Sequence, residues 1–345
     1  MDAVADHGGS LGRASALFPQ APLPWIDLST GINPHSYPLF DLPATAFSRL
    51  PEPARERTLA EVAAATYGAP SAANVVSAPG TQILLPRVAA AVKPGRALVL
   101  GPTYAEHARA CAIACHTVAE VRDFDALFSA DIAIVVNPNN PDGRVARRRD
   151  LLELADKMRC KGGLLVVDEA FMEVGPLDER MDGDVGRGGL VVLRSFGKFF
   201  GLAGVRLGFA IAAESLAARI HGELGPWAVA GPALEYGIKA LGDDAWQQAM
   251  RERLAADAAR LDALFADSGV EVGGGTSLFR FVKLPDAPAL FETLGQQGIL
   301  IRNFIWDETA LRVGLPGSEA EWRRLEQALA AWATRRQERA MEAQP

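Results

Sequence analysis

A lysine in apolar, glycine-rich surroundings is the residue of this sequence best suited to covalent chemistry. Lys198 lies in the stretch SFGKFFGLAGVRLGF, which spans residues 195–209. Lysine is seldom buried without a partner, and an amine in apolar surroundings reacts readily with an aldehyde to form an imine. The stretch therefore indicates a lysine that carries an aldehyde-bearing group.

Polar side chains follow three short apolar runs, at the points where predicted strands end. The run DIAIVV precedes the loop NPNNPDG, GLLVV precedes Asp168 and Glu169, and GLVVL precedes Arg194 and Ser195. Taken singly, each feature has an ordinary interpretation. The loop could be only a turn, the acidic pair a helix cap or a metal site, and Lys198 a surface lysine on a loop. In open parallel sheets, however, ligands bind beyond the carboxyl ends of the strands.

Pyridoxal 5'-phosphate is the commonest aldehyde cofactor, and three of its requirements are met by this set. Lys198 offers the amine, and the carboxylate of Asp168 would keep the ring nitrogen protonated so that the ring can withdraw electrons. Asn140, in the asparagine loop, would donate a hydrogen bond to the ring oxygen. The sequence thus predicts a pyridoxal-phosphate site at one edge of the sheet.

The cofactor phosphate needs hydroxyl, backbone N–H and guanidinium groups. Ser195 and Arg206 flank Lys198, and a predicted helix begins with the run TQILLPRVAAAV. Free N–H groups at a helix start attract anions. The predicted phosphate ligands are therefore Ser195, Arg206, Gly80, Thr81 and Gln82. Tyr104, just beyond the strand ALVLG, would stack on the ring.

A sheet must position these groups, and the apolar runs predict one. Runs alternate with helical stretches through the middle of the chain, which favours an α/β fold with a mainly parallel sheet covered by helices. A long alanine-rich helix, three strands and a closing helix then predict a smaller α+β domain. We expect a large domain over 41–232, and a small domain over 233–345 with an irregular N-terminal arm over 1–40.

The composition excludes several classes of protein. The chain has 345 residues, a net charge of -7 and a pI of about 5.4, which argues against general nucleic-acid binding. The first residues lack a signal-peptide core, no apolar run approaches the ~20 residues of a membrane span, and three cysteines do not make a disulfide framework. The expectation is a cytoplasmic protein without a nucleic-acid partner, membrane partner or metal site.

The motifs NPNNPDG, DEAF and S-x-x-K-x-x-G-L-A-G-x-R-x-G, in this order, resemble the class I/II aminotransferase family of fold type I pyridoxal-phosphate enzymes. The likeness spans nearly the whole chain. It implies that Lys198 is the Schiff-base lysine, that Asp168 pairs with the pyridine nitrogen, and that Asn140 bonds the ring oxygen and contacts substrate. It also implies a homodimer with sites near the subunit interface.

Within the family, the chain is similar to two branches with phosphorylated substrates, the histidinol-phosphate aminotransferases and the threonine-phosphate decarboxylases. The opening His7-Gly8-Gly9 and the segment IDLSTGINP, with Gly31 and Asn33, resemble the second branch, in which an HGG segment helps to hold the substrate phosphate. Arg312 matches the family arginine for the substrate carboxylate. Arg302, on the preceding predicted strand, is the candidate phosphate ligand.

The resemblance implies decarboxylation of L-threonine O-3-phosphate to (R)-1-amino-2-propanol O-2-phosphate in cobalamin biosynthesis. The alternative is a histidinol-phosphate-type aminotransferase that transfers an amino group to 2-oxoglutarate. The choice depends on how arginines orient the substrate, because only the Cα bond perpendicular to the ring breaks. A DNA-binding regulator would need an additional basic domain, and a nicotinamide enzyme would need G-x-G-x-x-G after the first strand.

Two positions depart from the family pattern. Phe171, in DEAF, stands where many aminotransferases have a tyrosine that donates to the ring oxygen. Leu50 stands where family members often have a tyrosine that reaches the cofactor phosphate of the neighbouring subunit. Phenylalanine cannot donate a hydrogen bond, so Asn140 is expected to act alone at the ring oxygen. With leucine at position 50, the contact with the neighbouring subunit's cofactor phosphate is expected to be absent or replaced.

Overall fold

The computed structural model describes residues 8–342 of the chain, and side chains as far as residue 338. This part divides into two units. The large unit is Ser36–Ala249, and the small unit combines the described residues up to His35 with those from Met250 onward. The domain boundaries at residues 41 and 232 stay a prediction.

Most of the strands fall close to the predicted apolar runs; the exceptions are the first, second and ninth in chain order. They are β1 (Ile26–Asp27), β2 (Val75–Ala78), β3 (Arg96–Leu100), β4 (Thr117–Val121), β5 (Ile132–Val136), β6 (Leu164–Asp168), β7 (Leu190–Ser195), β8 (Gly208–Ala212), β9 (Val272–Thr276), β10 (Phe279–Lys283), β11 (Ile299–Leu300), β12 (Arg302–Phe304) and β13 (Asp307–Gly314).

The large unit is built on a seven-stranded sheet with the order β2-β8-β7-β6-β5-β3-β4. The five strands from β7 to β4 in that order are parallel, while β8 runs antiparallel to both of its neighbours. Every residue of β5, β6 and β8 is buried, as expected for central strands covered on both faces. The predicted mainly parallel sheet is confirmed.

The helices are α1 (Leu11–Leu17), α2 (Thr45–Ser48), α3 (Pro53–Tyr67), α4 (Leu84–Ala89), α5 (Glu106–Ile113), α6 (Arg148–Cys160), α7 (Phe196–Phe199), α8 (Glu214–Leu224), α9 (Gly231–Leu241), α10 (Asp244–Asp267), α11 (Ala287–Gln296) and α12 (Glu319–Glu342). Local sequence explains the ends of α3. Pro53 occupies its first turn, where no backbone donor is lost, and Gly68 ends it with a φ of 78°. None of the described helices combines the length and apolar composition needed to cross a bilayer.

The small unit contains a four-stranded antiparallel sheet with the order β12-β13-β10-β9. The described part of the N-terminal arm is mostly irregular, but it also contains one helix and one strand. The helix is α1, and the strand, β1, pairs in parallel with β11 through Ile26 and Ile299. A two-residue strand leaves too little periodicity to be recognised in the sequence, so this pairing depends on tertiary contacts.

Candidate active site

A pocket of about 180 Å³ lies in the large unit, beyond the carboxyl ends of β5, β6 and β7. All of the residues predicted to hold the cofactor line it: Gly80, Thr81, Gln82, Tyr104, Asn140, Asp168, Ser195, Lys198 and Arg206. The sheet thus brings together groups that are more than one hundred residues apart in the chain. Their roles remain proposals.

Lys198 lies on the short helix α7, which begins directly after β7. Its neighbours Phe196, Gly197 and Phe199 are buried, while Lys198 itself is half-buried and lines the pocket. The Nζ atom lies 5.8 Å from the centre of the Phe171 ring. The lysine is therefore presented to the pocket by a packed helical turn, and it is not the surface-loop residue of the alternative interpretation.

The carboxylate of Asp168 is oriented by a histidine that sequence reasoning missed. His107 Nε2 lies 2.8 Å from Asp168 Oδ2, and the Ala170 N–H donates to Asp168 Oδ1 at 3.0 Å. His107 is only 1% exposed. The sequence signal for it was its position three residues after Tyr104: Tyr104 lies just before α5 and His107 in its first turn, and their ring centroids lie 5.9 Å apart.

The loop that carries Asn140 is fixed by its neighbour Asn139. The Thr103 hydroxyl donates to Asn139 Oδ1 at 2.7 Å. Asn139 Nδ2 donates to the Pro102 carbonyl at 3.0 Å and to Asp142 Oδ1 at 2.7 Å. The buried Asn139 amide connects the asparagine loop to the segment before Tyr104. The pocket residues Asn140 and Tyr104 are therefore positioned relative to each other.

Tight backbone packing shapes the predicted phosphate end of the pocket. Arg206 has a φ of 56°, which is rare for a residue with a side chain and is typical of functional sites. Gly80 has a φ of 82°, and a Cβ there would lie 2.6 Å from Arg206 Nη2. The helix predicted to begin at Thr81 opens as a 3₁₀ turn over Thr81–Ile83, and α4 begins at Leu84.

Tyr104 is oriented by a chain of polar contacts. Its hydroxyl donates to Gln82 Oε1 at 3.2 Å, Gln82 Nε2 donates to Glu106, and Arg109 donates to Glu106 Oε2 at 3.0 Å. Burial and, to a smaller extent, the charges of Glu106 and Asp168 raise the pKa of Tyr104 to about 12, although Arg206 opposes the shift. The phenol therefore stays neutral at physiological pH.

The pocket residues fit pyridoxal phosphate. Arg206, with the hydroxyls of Ser195 and Thr81, supplies donors for a dianionic phosphate. Asp168, held by His107, supplies an oriented carboxylate for a pyridine nitrogen, and Lys198 supplies an amine for an aldehyde. Each chemical group of the cofactor therefore has a complementary side chain in one pocket.

A second candidate region lies in the small unit, where two arginines pair across adjacent strands. Arg302 on β12 is directly opposite Arg312 on β13. Arg312 is 7% exposed, and its Nη2 donates to the Ser29 carbonyl at 2.6 Å. Burial and, to a smaller extent, the charge of Arg302 lower the pKa of Arg312 to about 10, although the charge of Asp27 opposes the shift. Such adjacent positive charge favours an anionic ligand.

The glycine segment at the start of the chain packs on Ser29. The Gly9 N–H donates to Ser29 Oγ at 2.7 Å, and a Cβ at Gly8 would lie 2.4 Å from the Ser29 carbonyl oxygen. His7 lies outside the described residues. A cavity of about 250 Å³ is lined by Gly8, Arg13 and Arg302, among others. Gly8 and Arg302 are thus brought to one cavity.

Gly31 and Asn33, also predicted to contact substrate, are both buried, but neither lines that cavity. Asn33 Oδ1 accepts a hydrogen bond from the His35 N–H at 2.8 Å, so this amide stabilises a turn. Their assignment to substrate binding stays a prediction.

Comparison with known sequences supports this picture. A family model described as aminotransferase class I and II matches residues 49–329. A threonine-phosphate decarboxylase of Pseudomonas aeruginosa is 41% identical over 94% of this chain and 97% of its own. One from Sinorhizobium is 43% identical over 96% of this chain and 99% of its own. A histidinol-phosphate aminotransferase of Pasteurella multocida is 30% identical over 86% and 90%.

Solved structures show the same fold. A histidinol-phosphate aminotransferase from Sinorhizobium meliloti, in complex with pyridoxal-5'-phosphate, gives a TM-score of 0.81 at 19% identity and covers 94% of each chain. The L-threonine-O-3-phosphate decarboxylase from Porphyromonas gingivalis gives 0.74 at 23% identity, with 89% of this chain and 99% of that one covered. The predicted α/β fold class is confirmed, and the chain belongs to the class I and II aminotransferase family.

Proposed function

We propose that this chain is a pyridoxal-phosphate-dependent lyase that decarboxylates L-threonine O-3-phosphate to (R)-1-amino-2-propanol O-2-phosphate, as a step of cobalamin biosynthesis. The observation that carries the proposal is the likeness to two relatives named threonine-phosphate decarboxylase, 41% and 43% identical over nearly their whole lengths. The histidinol-phosphate aminotransferase relative is 30% identical. Decarboxylation is therefore favoured over amino-group transfer.

In this proposal the pocket of the large unit holds the cofactor. Lys198 binds it covalently, Asp168 pairs with the pyridine nitrogen, and Asn140 donates to the ring oxygen. The phosphate is bound by Gly80, Thr81, Gln82, Ser195 and Arg206, and Tyr104 stacks on the ring. When bound, the cofactor supplies an aldehyde for the substrate amine and a ring that withdraws electrons from the bond at Cα.

The arginines of the small unit orient the substrate. Arg312 binds the carboxylate and Arg302 binds the phosphate. Gly8, which packs on Ser29, lines the same cavity as Arg302. A dianionic phosphate bound by guanidinium groups fixes the pose, and the pose selects which bond at Cα breaks. The Cα–carboxylate bond breaks, carbon dioxide leaves, and a proton from Lys198 Nζ bonds to Cα in its place.

We also propose that the enzyme is a cytoplasmic homodimer. Exposed apolar side chains cluster in one segment of the large unit: Leu39, Phe47 and Leu50 are 76%, 70% and 63% exposed. Apolar groups exposed to this extent are typical of a surface that another subunit covers. Sedimentation equilibrium of the wild type and of Phe47→Asp tests this, with a dimer expected for the first and a monomer for the second.

An assay with two substrates side by side tests the proposed reaction. With L-threonine O-3-phosphate, the pure protein should release carbon dioxide and should need no 2-oxoglutarate. With histidinol phosphate and 2-oxoglutarate, it should form little glutamate. Glutamate formation without carbon dioxide would instead establish the aminotransferase alternative.

A further inference from the structure

Behind the pocket, a buried cluster surrounds one arginine with three carboxyl groups. This acid-arginine cluster consists of Arg194, Glu169, Asp182 and Glu173, and none of them is more than 4% exposed. Arg194 Nε donates to Asp182 Oδ1 at 2.9 Å, and Arg194 Nη2 contacts Asp182 Oδ2 as well. Glu169 Oε2 lies 2.7 Å from Arg194 Nη2, and Glu173 Oε2 lies 3.9 Å from Arg194 Nη1.

The charges in this cluster do not balance if every acid is ionised. The two carboxylates nearest to Arg194, those of Asp182 and Glu169, would share one guanidinium and leave one excess negative charge in a buried site. Charge of this kind is costly to bury, and carboxyl groups in such a place take up a proton instead. Tyr67, whose ring lies 4.9 Å from Arg194 Cζ, offers no further positive charge.

The geometry distinguishes the two carboxyl groups nearest to Arg194. Asp182 is bound by two guanidinium nitrogens in the side-on manner of an ionised partner. Glu169 accepts the Met181 N–H at Oε1, at 2.8 Å, but its buried Oε2 receives no hydrogen bond from a donor of the described residues. The Glu169 side chain is in hydrogen-bonding contact with that of Asp182, so a proton on Glu169 would join the two carboxyl groups. Burial and the charge of Asp182 raise the pKa of Glu169 well above its usual range, although Arg194 and the Met181 N–H oppose that shift.

The cluster is joined to the pocket through the strand ends. Glu169 directly follows Asp168 at the end of β6, and Arg194 directly precedes Ser195 at the end of β7. The Glu169 N–H donates to the Leu193 carbonyl at 2.9 Å, which locks the two strand ends together. Side chains at these ends alternate between the pocket and the cluster, as strand geometry requires.

We infer that Glu169, Asp182 and Arg194 are positioning residues, which hold one proton between the two carboxyl groups and thereby fix Asp168 and the segment bearing Lys198. Asp182 is ionised and paired with Arg194, whereas Glu169 is a neutral acid that donates to Asp182. This inference rests on the proposed function only in what the fixed residues are used for.

A comparison of three variants tests the inference. Glu169→Gln keeps a donor toward Asp182, so its melting temperature should change by no more than about 2 °C and its dissociation constant for pyridoxal phosphate by no more than about twofold. Asp182→Asn leaves a buried guanidinium without its counter-charge and should lower the melting temperature by about 6 °C or more. Glu169→Ala should weaken cofactor binding about tenfold and shift the pH midpoint of the bound cofactor's visible band.

The control is Glu223→Gln, which alters an exposed ion pair with Arg219 in the same unit and should change neither quantity. Infrared spectroscopy reads the proton directly: at neutral pH the wild type should show a neutral carboxylic-acid band that Glu169→Gln lacks. Two results would overturn the inference. One is a difference spectrum between wild type and Glu169→Gln that shows only the loss of an ionised carboxylate band; the other is a Glu169→Gln protein that is as impaired as Glu169→Ala.

The two proposals fail in different ways. If the wild type bound no pyridoxal phosphate, the proposed function would be wrong, and the infrared band and melting temperatures would still decide the protonation of Glu169. If the cofactor bound and Glu169→Gln lost the same affinity as Glu169→Ala, only the present inference would fail.

Discussion

In the pocket beyond β5, β6 and β7, polar side chains are oriented by neighbouring protein groups, whereas in the small unit two like charges are placed side by side. His107 holds Asp168, and Gln82 holds Tyr104. On β12 and β13, Arg302 faces Arg312, and the pKa of Arg312 is lowered to about 10. The first region is organised by the protein itself, and we expect the second to be stabilised when a bound anion neutralises its charge.

The largest effect is expected at Lys198, because no other group of the pocket is proposed to bind the cofactor covalently. Lys198→Ala should reduce turnover by at least about a thousandfold, because both the covalent attachment and the proton donor are lost. The measurement is carbon dioxide release at saturating cofactor. Lys161→Ala, at an exposed lysine that donates to the Phe128 carbonyl, is the control and should keep full activity.

Arg312→Lys tests whether substrate binding by the small unit and cofactor binding by the pocket are independent. A lysine keeps the charge but not the planar fork, so the KM for the phosphorylated substrate should rise about thirtyfold while cofactor affinity stays unchanged. Arg260→Lys, at a partly exposed arginine paired with Glu319, should alter neither. A loss of cofactor affinity in Arg312→Lys would show that the two regions do not act separately.

Gly80→Ala tests the backbone packing under Arg206. The substitution combines an unfavourable φ with a contact of 2.6 Å to the guanidinium, and should weaken cofactor binding about twentyfold. Gly162→Ala is a matched control, because Gly162 has a φ of 72° but nothing within 4 Å of its would-be Cβ. Equal cofactor affinities in the two variants would contradict the role given to Arg206.

His107→Phe should have the smallest effect. The ring shape is kept, but Asp168 loses a buried hydrogen-bond partner, so cofactor affinity should fall about tenfold with the substrate KM unaltered. His116→Phe is the control: His116 is also buried, but its ring contacts the Gly95 N–H and the Ala89 carbonyl and does not line the pocket. A KM change in His107→Phe would argue against a purely positioning role.

Much of the pocket could be predicted from sequence because its residues follow strand ends. Near-continuous apolar runs marked β5, β6 and β7, and parallel strands place their carboxyl ends at one edge. The motif spacing then identified Asn140, Asp168 and Lys198 as a set. Here local pattern and global fold agree, which is the condition for a reliable prediction.

The supporting residues could not be predicted, because they depend on packing between distant segments. No pattern in the sequence predicts that His107 contacts Asp168, 61 residues away, or that Arg194 contacts Asp182, 12 residues away. The β1–β11 pairing joins segments more than 270 residues apart, and the positive φ of Arg206 has no signal in the local sequence. The pattern shows which side chains reach the pocket, and the structure shows what holds them.

The central claim is that Lys198 carries the cofactor, and borohydride reduction tests it most directly. The purified holoenzyme should show a visible absorption band that disappears on reduction, and peptide mass analysis should find the reduced pyridoxyl group on the peptide with Lys198. A colourless protein that takes up no pyridoxal phosphate, or a modification at another lysine, would contradict the account.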